Sequence, residues 1–162
     1  MEVALIPDLT LQLSHQLTRL NWMLATAESC TGGLIAARCT DLAGSSVWFD
    51  RGFVTYSNEA KTQMLGVTNE LLEANGAVSE SVARAMALGA VYRSKSLVSV
   101  AVTGVAGPSG GTPDKPVGTV WLAWCINGLV TAELHHFDGN RQQIREATTV
   151  CALKGLIARL SL

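Results

Sequence analysis

TAESCTGG, residues 26–33, lies between two apolar segments, 22–25 and 34–37. An apolar run, a short polar turn and a second apolar run predict a strand, a tight turn and a helix. Two glycines in a first helical turn cost about 1 kcal/mol each, so they indicate a close approach of backbone or ligand. Helix N–H groups beside Ser29 and Cys30 would favour a bound anion or a developing oxyanion. The stretch also fits a plain Ser/Thr cap with glycines used for packing.

The composition is that of one globular domain, spanning residues 1–162. Hydrophobic residues make up 48% of the chain and charged residues 15%, which allows a large buried core. The net charge of -1 and the lack of a Lys/Arg block give no support for nucleic acid or a membrane surface as partner. Because no apolar run could span a bilayer and the N-terminus does not resemble a signal peptide, we expect a cytoplasmic protein.

The cysteines and histidines are not spaced like metal ligands. The four cysteines are Cys30, Cys39, Cys125 and Cys151, and none belongs to a C-x-x-C pair. The last three lie in apolar segments and are expected to be small core residues. Two histidines, His135 and His136, are adjacent and would point to opposite faces of a strand. The sequence therefore predicts no metal site.

Hydrophobic periodicity and turn residues predict an α/β fold. Helices are expected at 8–20, 31–41, 58–65 (capped by Asn58), 69–75, 79–92 and 140–160, the last with an Asn140/Gln143 capping box. Strands are expected at 23–27, 46–56 (bulged near Gly52), 97–103, 117–126 and 129–137, the last two joined by a tight turn at Asn127-Gly128. This order predicts a three-layer α/β/α sandwich with a mixed sheet of about five strands, including one antiparallel hairpin.

Three loops that follow strand ends, 28–33, 56–61 and 103–112, carry small or polar residues. Ligands of such folds collect where strand ends lead into loops. The glycine-rich loop is not a Walker motif, since no Gly-Lys-Ser/Thr closes it, and it lacks G-x-G-x-x-G spacing. It could hold an anion with successive N–H groups, or it could be a flexible surface turn.

Three basic residues near predicted helix starts have both a chemical and an ordinary interpretation. In a first helical turn, the dipole and partial burial would both lower the pKa of Lys61 and favour a neutral amine, which can serve a serine as base. Arg141 and Arg145 share a helix face and could meet a phosphate at the helix start. All three could equally be solvated surface charges.

Several segments together resemble the CinA C-terminal domain family, whose members include bacterial nicotinamide-mononucleotide amidases. They cover nearly the whole chain after about residue 20. In family order they are AESCTGG (27–33), GFVTYSNEAK (52–61), GAVSE (76–80), TGVAGP (103–108), KPVGTV (115–120) and GNR (139–141) with Ile144 and Arg145.

The resemblance implies a Ser/Lys amidohydrolase that converts nicotinamide mononucleotide to nicotinate mononucleotide and ammonia, with neither metal nor cofactor. Ser29 falls on the family's nucleophile, Lys61 on its base and Tyr56 on the tyrosine beside them. N–H groups at the start of the 31–41 helix would stabilise the oxyanion. The nucleotide would be bound by Thr31, Gly32, Gly33, Thr103, Gly104, Gly107, Arg141 and Arg145.

Other interpretations stay open. The chain could be a catalytically silent nucleotide-binding or interaction module with the same pocket. A nucleic-acid-binding module fits a net charge of -1 poorly. Cys30 is a rival nucleophile, but no histidine lies in the three loops to partner it. The apolar segment 120–124 could be core or interface, and we expect a homodimer.

Overall fold

The computed structural model describes residues 2–161, which form a mixed sheet between two layers of helices. The strands are β1 (Leu24–Glu28), β2 (Phe49–Val54), β3 (Val98–Gly104), β4 (Thr119–Ile126) and β5 (Leu129–His136). The helices are α1 (Ile6–Leu20), α2 (Leu34–Thr40), α3 (Asn58–Leu65), α4 (Asn69–Asn75), α5 (Glu80–Tyr92) and α6 (Arg141–Leu160), with short 3₁₀ turns at Glu2–Leu5 and Ser45–Val47. The predicted α/β class is confirmed.

The five-stranded sheet has the order β2-β1-β3-β4-β5. Strand β1 pairs in parallel with both β2 and β3, whereas β4 is antiparallel to β3 and to β5. The mixed sheet and its antiparallel hairpin are as predicted. Because β2, β1 and β3 are parallel neighbours, their carboxyl ends lie side by side at one edge of the sheet. The three loops singled out in the sequence follow these strand ends.

Each face of the sheet has its own apolar core. Leu13, Leu17 and Ile35 pack with inward residues of β3, β4 and α6 on one side. On the other side, Met86 and Leu65 pack against small sheet residues. The alternation of the central strands, together with the amphipathic helices, therefore produces the predicted sandwich.

The apolar segment 120–124 belongs to the sheet interior. Val120, Leu122, Ala123 and Trp124 are fully buried. The indole N–H of Trp124 donates to the carbonyl oxygen of Ala152 in α6 at 3.1 Å. These side chains are consequently core residues, and the homodimer stays a prediction.

Helix α2 begins three residues later than the sequence suggested. Its first residue is Leu34 rather than residue 31, because Gly32 and Gly33 have φ values of +59° and +102°. Glycine adopts this left-handed region without the steric cost that a side chain would bring. Residues 29–33 therefore form a turn, and the two glycines shape it instead of starting the helix.

The boundaries around β2 also differ from expectation. Residues 45–47 form a 3₁₀ turn, and the strand spans Phe49–Val54. The irregularity falls at Asp50, because Leu24 pairs with Phe49 whereas Ala25 pairs with Arg51. Helix α3 is capped by the Ser57 hydroxyl rather than by Asn58.

Other predicted helix starts are confirmed. The Ser79 hydroxyl caps α5, and Asn140 with Gln143 forms the complete capping box of α6. Arg141 is accordingly the first residue of α6. Within residues 2–161, no helix combines the length and apolar character needed to cross a bilayer.

Candidate active site

The site forms where the loops after β1 and β2 meet. Strand β1 lies between its two parallel neighbours, and the pairing continues past its end. The N–H of Thr55 donates to the Glu28 carbonyl oxygen at 2.8 Å, and the N–H of Ser29 donates to that of Val102 at 3.1 Å. The backbone of Ser29 is thus fixed from both sides at the edge of the sheet.

The Glu28 carboxylate organises the turn that carries Ser29. This side chain is fully buried, and each of its oxygens accepts one threonine hydroxyl and one helix N–H. Oε1 accepts from Thr31 Oγ1 (2.7 Å) and Ile35 N (2.9 Å), and Oε2 from Thr26 Oγ1 (3.1 Å) and Ala36 N (3.0 Å). A negative group at the N-terminus of α2 also matches the helix dipole. Glu28 therefore occupies helix N–H groups that the sequence analysis assigned to an anion or oxyanion.

Ser29 and Lys61 are in direct contact. Lys61 Nζ lies 3.0 Å from Ser29 Oγ. It also donates to the carbonyl oxygens of Thr55 and Tyr56 at 3.0 and 3.2 Å. Helix α3 positions the amine, since Lys61 follows the Ser57 cap and its own N–H already donates to the Ser57 carbonyl.

Lys61 is buried without a counter-ion. Its exposed fraction is 1%, and among residues 2–161 no carboxylate forms an ion pair with it. Burial lowers the pKa of Lys61 from its ordinary value of 10.5, because a desolvated ammonium is unfavourable. The surroundings therefore favour the neutral amine.

The contacts of Lys61 also orient its lone pair. A neutral amine has two N–H groups and one lone pair, and carbonyl oxygens can only accept. The two N–H groups are therefore directed at Thr55 and Tyr56, which leaves the lone pair facing Ser29 Oγ. The serine hydroxyl can then donate its proton to Nζ, which is the arrangement that a general base requires.

Cys30 lies next to Ser29 but is a poor nucleophile. Its exposed fraction is 5%, and burial raises the pKa of its thiol to about 12. A thiol in this state carries almost no thiolate at neutral pH. Both observations favour Ser29 over Cys30.

The turn that follows Ser29 offers backbone N–H groups. The Thr31 hydroxyl is occupied by Glu28, and the Gly32 N–H donates to the Ser29 carbonyl. Within residues 2–161, the N–H groups of Cys30, Thr31 and Gly33 donate to no protein acceptor. These three groups, rather than those of the α2 helix proper, are available to an oxyanion.

Tyr56, Arg141 and Gly107 connect the loops after β2 and β3 to helix α6. The Arg141 guanidinium donates to the Gly107 carbonyl at 2.7 Å and to the Tyr56 hydroxyl at 3.0 Å. Tyr56 contacts Lys61 and Ser29 through its carbonyl oxygen, at 3.2 and 3.5 Å, whereas its side chain is 61% exposed. The structure therefore brings these three predicted residues together, with the tyrosine side chain at the outer end.

Thr103 and Gly104 are occupied by contacts within the fold. The Thr103 hydroxyl donates to the carbonyl oxygen of Ala77 at 2.9 Å. A Cβ at Gly104 would lie 2.7 Å from the Thr119 carbonyl oxygen, so this position needs glycine to pair closely with β4. Both residues shape the end of β3, and neither presents a free side chain to a ligand.

Arg145 joins α6 to the Ser29 turn and borders a cationic cleft. Its guanidinium donates to the carbonyl oxygens of Cys30 and Thr31 at 3.1 and 2.9 Å. The cleft has a volume of about 430 Å³ and lies between α2 and α6. Its lining consists of Leu34, Arg38, Arg141, Gln142, Arg145 and Glu146. Three arginines against one carboxylate make this cleft suited to an anionic group.

Comparison with known proteins decides the family. The CinA C-terminal domain family matches residues 7–160. This chain belongs to the CinA C-terminal domain family. The membership and the geometry agree, because the segments that resemble the family include the Ser29 turn, the Lys61 helix and the first turn of α6.

Relatives of this CinA-domain chain include short and long proteins. "Nicotinamide-nucleotide amidohydrolase PncC" from Pseudomonas putida is 51% identical over 152 residues, which cover 94% of this chain and 95% of the relative. A "CinA-like protein" from Geobacter sulfurreducens is 56% identical over 137 residues, which cover 85% of this chain and 33% of that longer protein. The crystal structure of competence/damage inducible protein CihA from Agrobacterium tumefaciens is similar with a TM-score of 0.93 and 51% identity, covering 97% of this chain and 96% of that one.

Sequence reasoning missed two contributors to this site. Glu28 was quoted only as part of a matching segment, because it lies six residues before Leu34, the first residue of α2, and no short capping motif links the two. Arg38 lies one helix away from the predicted arginines, and only the packing of α2 against α6 places it in their cleft. The spacing of residues in the sequence does not indicate that α2 packs against α6.

We predict that Glu28→Gln destabilises the fold by about 1–3 kcal/mol, because either orientation of the amide places an NH₂ group against a backbone N–H. Urea unfolding at neutral pH measures the change. The matched control is Glu70→Gln, in the exposed first turn of α4, which should change stability by less than about 0.5 kcal/mol. Equal stabilities of the two variants would show that the Glu28 network is not structural.

Proposed function

We propose that this chain is a nicotinamide-nucleotide amidohydrolase, which converts nicotinamide mononucleotide to nicotinate mononucleotide and ammonia by a Ser/Lys acyl-enzyme mechanism. One observation carries the proposal: a buried lysine without a counter-ion lies 3.0 Å from a serine Oγ. Such a lysine is costly to the fold, and strongly perturbed groups cluster at functional sites. The name of the Pseudomonas putida relative supports the substrate.

Acylation begins with proton transfer from Ser29 to the neutral Lys61 amine. Ser29 Oγ attacks the carboxamide carbon, and the amide oxygen becomes an oxyanion. The N–H groups of Cys30, Thr31 and Gly33 are the nearest available donors of the turn, and one such donor contributes about 3 kcal/mol. Protonated Lys61 then gives its proton to the leaving nitrogen, and ammonia departs.

Deacylation uses Lys61 again, first as a base and then as an acid, with water in place of Ser29 as the nucleophile. Lys61, neutral again, takes a proton from a water molecule, and the resulting hydroxide attacks the acyl carbon. The ester bond to Ser29 Oγ breaks, and Lys61 returns the proton to the serine. Nicotinate mononucleotide leaves, and the Ser29 hydroxyl and the neutral Lys61 amine are restored.

The cationic cleft is the proposed phosphate site. Arg145 contacts the carbonyl oxygens of Cys30 and Thr31, so the cleft adjoins the Ser29 turn. A nucleotide whose carboxamide meets Ser29 could extend towards Arg38, Arg141 and Arg145. Breaking an amide requires none of these arginines, so their presence favours a nucleotide over a simple amide.

We expect Ser29→Ala to reduce turnover at least about a thousandfold while leaving the fold intact, as loss of a nucleophile does. Ammonia release from nicotinamide mononucleotide measures the rate. Cys30→Ala is the matched control, since its thiol is buried and protonated, and it should keep most of the activity. An active Ser29→Ala enzyme contradicts the assignment of the nucleophile. A wild-type protein that binds the nucleotide but releases no ammonia would be the silent module instead.

The pH dependence should report Lys61. Its pKa is lowered below 10.5 by burial, and only the neutral amine can act as base. The value of kcat/KM should therefore rise with pH through this lowered pKa and level off above it. Lys61→Arg should lose at least about a thousandfold in activity, because a guanidinium stays protonated. Lys95→Arg, an exposed control, should behave like wild type, and an active Lys61→Arg enzyme would rule out the general base.

The phosphate should contribute to the chemical step as well as to binding. A charge-assisted contact contributes about 1.5–3 kcal/mol, so nicotinamide riboside should be hydrolysed at least about tenfold less efficiently than the mononucleotide. Free nicotinamide should be poorer still. Arg141→Ala should remove most of this preference while residual activity on the riboside persists. The measurement is kcat/KM for the three substrates.

The partly buried Arg84 of α5, which also donates to the Val130 carbonyl oxygen at 3.0 Å, provides the control for this experiment. It pairs with Glu80 on α5, so Arg84→Ala should keep the wild-type preference. A preference that survives Arg141→Ala would assign the phosphate to Arg145, Arg38 or the glycine loop. Equal wild-type efficiency on riboside and mononucleotide would contradict the phosphate site altogether.

A further inference from the structure

Three potential metal ligands of different types converge between β5 and α6, away from the Ser29 turn. They are the Glu133 carboxylate, the His135 imidazole and the Cys151 thiol. Their ligand atoms all lie within 4.8 Å of one another. His135 Nε2 is 2.8 Å from Glu133 Oε2 and 3.5 Å from Cys151 Sγ.

The fold explains why these side chains meet. Glu133 and His135 are two residues apart in β5, so they share one face of the strand. That face is covered by α6, which presents Cys151. Cys151 is only partly buried, unlike the fully buried Cys39 and Cys125. The sequence analysis predicted a core position for Cys151 and no metal site, because residue spacing does not show that α6 brings Cys151 to His135 in β5.

Glu133 and Cys151 both contact the same ring nitrogen, Nε2 of His135. In neutral imidazole Nε2 either donates or accepts, so it cannot satisfy Glu133 and Cys151 together as a hydrogen-bonded group. A catalytic triad would use both ring nitrogens, one for each partner. Here Glu133 and Cys151 both approach Nε2, so the three ligand atoms are arranged as they would be around one metal ion.

The two distances from His135 Nε2 are close to those of a tetrahedral zinc site, and the Glu133 and Cys151 ligand atoms lie within 4.8 Å of each other. With zinc bonds of about 2.0–2.1 Å to nitrogen and oxygen and about 2.3 Å to sulfur, tetrahedral ligands lie about 3.3 Å (N to O) and 3.5 Å (N to S) apart. The His135–Cys151 distance already has this value. The Glu133–His135 pair needs to open by about 0.5 Å, which a rotation of the exposed Glu133 side chain provides. A cavity of about 380 Å³ beside the cluster leaves room for a water molecule as fourth ligand.

Neighbouring charges leave the ligand atoms accessible. Arg159 donates to Glu133 Oε1 at 2.9 Å and therefore leaves Oε2 turned towards His135. Lys154 is paired with Glu2 at 2.9 Å. The two nearby cations are thus each balanced by a carboxylate. Burial raises the pKa of Cys151 to about 11, so the metal-free site holds a thiol whose proton a bound metal would displace.

We propose that Glu133, His135 and Cys151 form a zinc site with one open position, independent of the amidase reaction. Mixed sulfur, nitrogen and oxygen ligands select Zn²⁺ over Mg²⁺ and Ca²⁺, which take oxygen ligands alone. Binding exchanges the Cys151 thiol proton for a Zn–S bond and releases the proton to solvent. None of the three residues contributes to the Ser29 site.

Titration of the full chain with Co²⁺, a spectroscopic substitute for zinc, tests the proposal. We expect one Co²⁺ per chain, the visible bands of tetrahedral coordination and a near-ultraviolet thiolate-to-metal band, all removed when Zn²⁺ displaces the cobalt. Cys151→Ser should abolish the thiolate band and weaken Zn²⁺ binding, measured by competition with a chromophoric chelator, at least about tenfold. His135→Asn should weaken it comparably.

Two variants serve as controls. His136→Asn changes the neighbouring histidine on the opposite face of β5, and Cys30→Ala removes a different cysteine, so both should bind Zn²⁺ like wild type. The proposal is overturned if Cys151→Ser keeps the thiolate band, or if wild type binds Zn²⁺ no more tightly than Cys151→Ser and His135→Asn. Cys151→Ser should retain wild-type amidase activity, so metal binding and amide hydrolysis are judged separately.

Discussion

The buried Glu28 carboxylate is the contact on which the rest of the site depends. It ends the central strand of the parallel trio and caps the helix that follows, so one side chain fixes the turn between them. Because its oxygens accept the helix N–H groups of Ile35 and Ala36, these two groups are not available to a ligand. The left-handed glycines delay the helix to Leu34, so the N–H groups of Cys30, Thr31 and Gly33 stay outside its hydrogen-bond pattern. A capping interaction of the fold thus determines which donors are left for chemistry.

Unlike the Glu28 contacts, the burial of Lys61 costs stability and favours the chemistry. A lysine buried beside an acid would be stable but permanently charged, and it could not accept a proton. Here the hydrogen-bond partners of the amine among residues 2–161 are two carbonyl oxygens and a serine hydroxyl, so burial favours its neutral form. The amine donates to the backbone carbonyl oxygens of Thr55 and Tyr56 in the loop after β2. The buried Lys61 amine is energetically unfavourable, but it is held in place beside the edge of the sheet. Such a local cost to stability is expected of a functional site.

The parts of this structure that could be predicted from sequence are those governed by local patterns. Alternating strands, the capping box of α6 and the three loops at strand ends followed from periodicity and spacing. The start of α2 was misplaced because glycine is compatible with both a first helical turn and a left-handed turn, and only the Glu28 network distinguishes them. The family resemblance pointed to Ser29 and Lys61, but their 3.0 Å contact depends on the order of β1 and β2 in the sheet. Arg38 and the Glu133–His135–Cys151 cluster depend on packing with α6, which no local pattern records.

In the proposed function, chemistry and recognition are carried by different elements. The serine belongs to the turn after β1 and the lysine to helix α3, whereas the arginines of the cleft belong to α2 and α6. Arg145 joins the two parts, since it reaches from α6 to the carbonyl oxygens of Cys30 and Thr31. A change in α6 could therefore alter which nucleotide is bound without moving the Ser29–Lys61 pair, and a change at Lys61 could stop catalysis while the cleft persists. In the proposed mechanism, a relative that kept the α6 arginines and lost Ser29 or Lys61 would keep the pocket and lose the reaction.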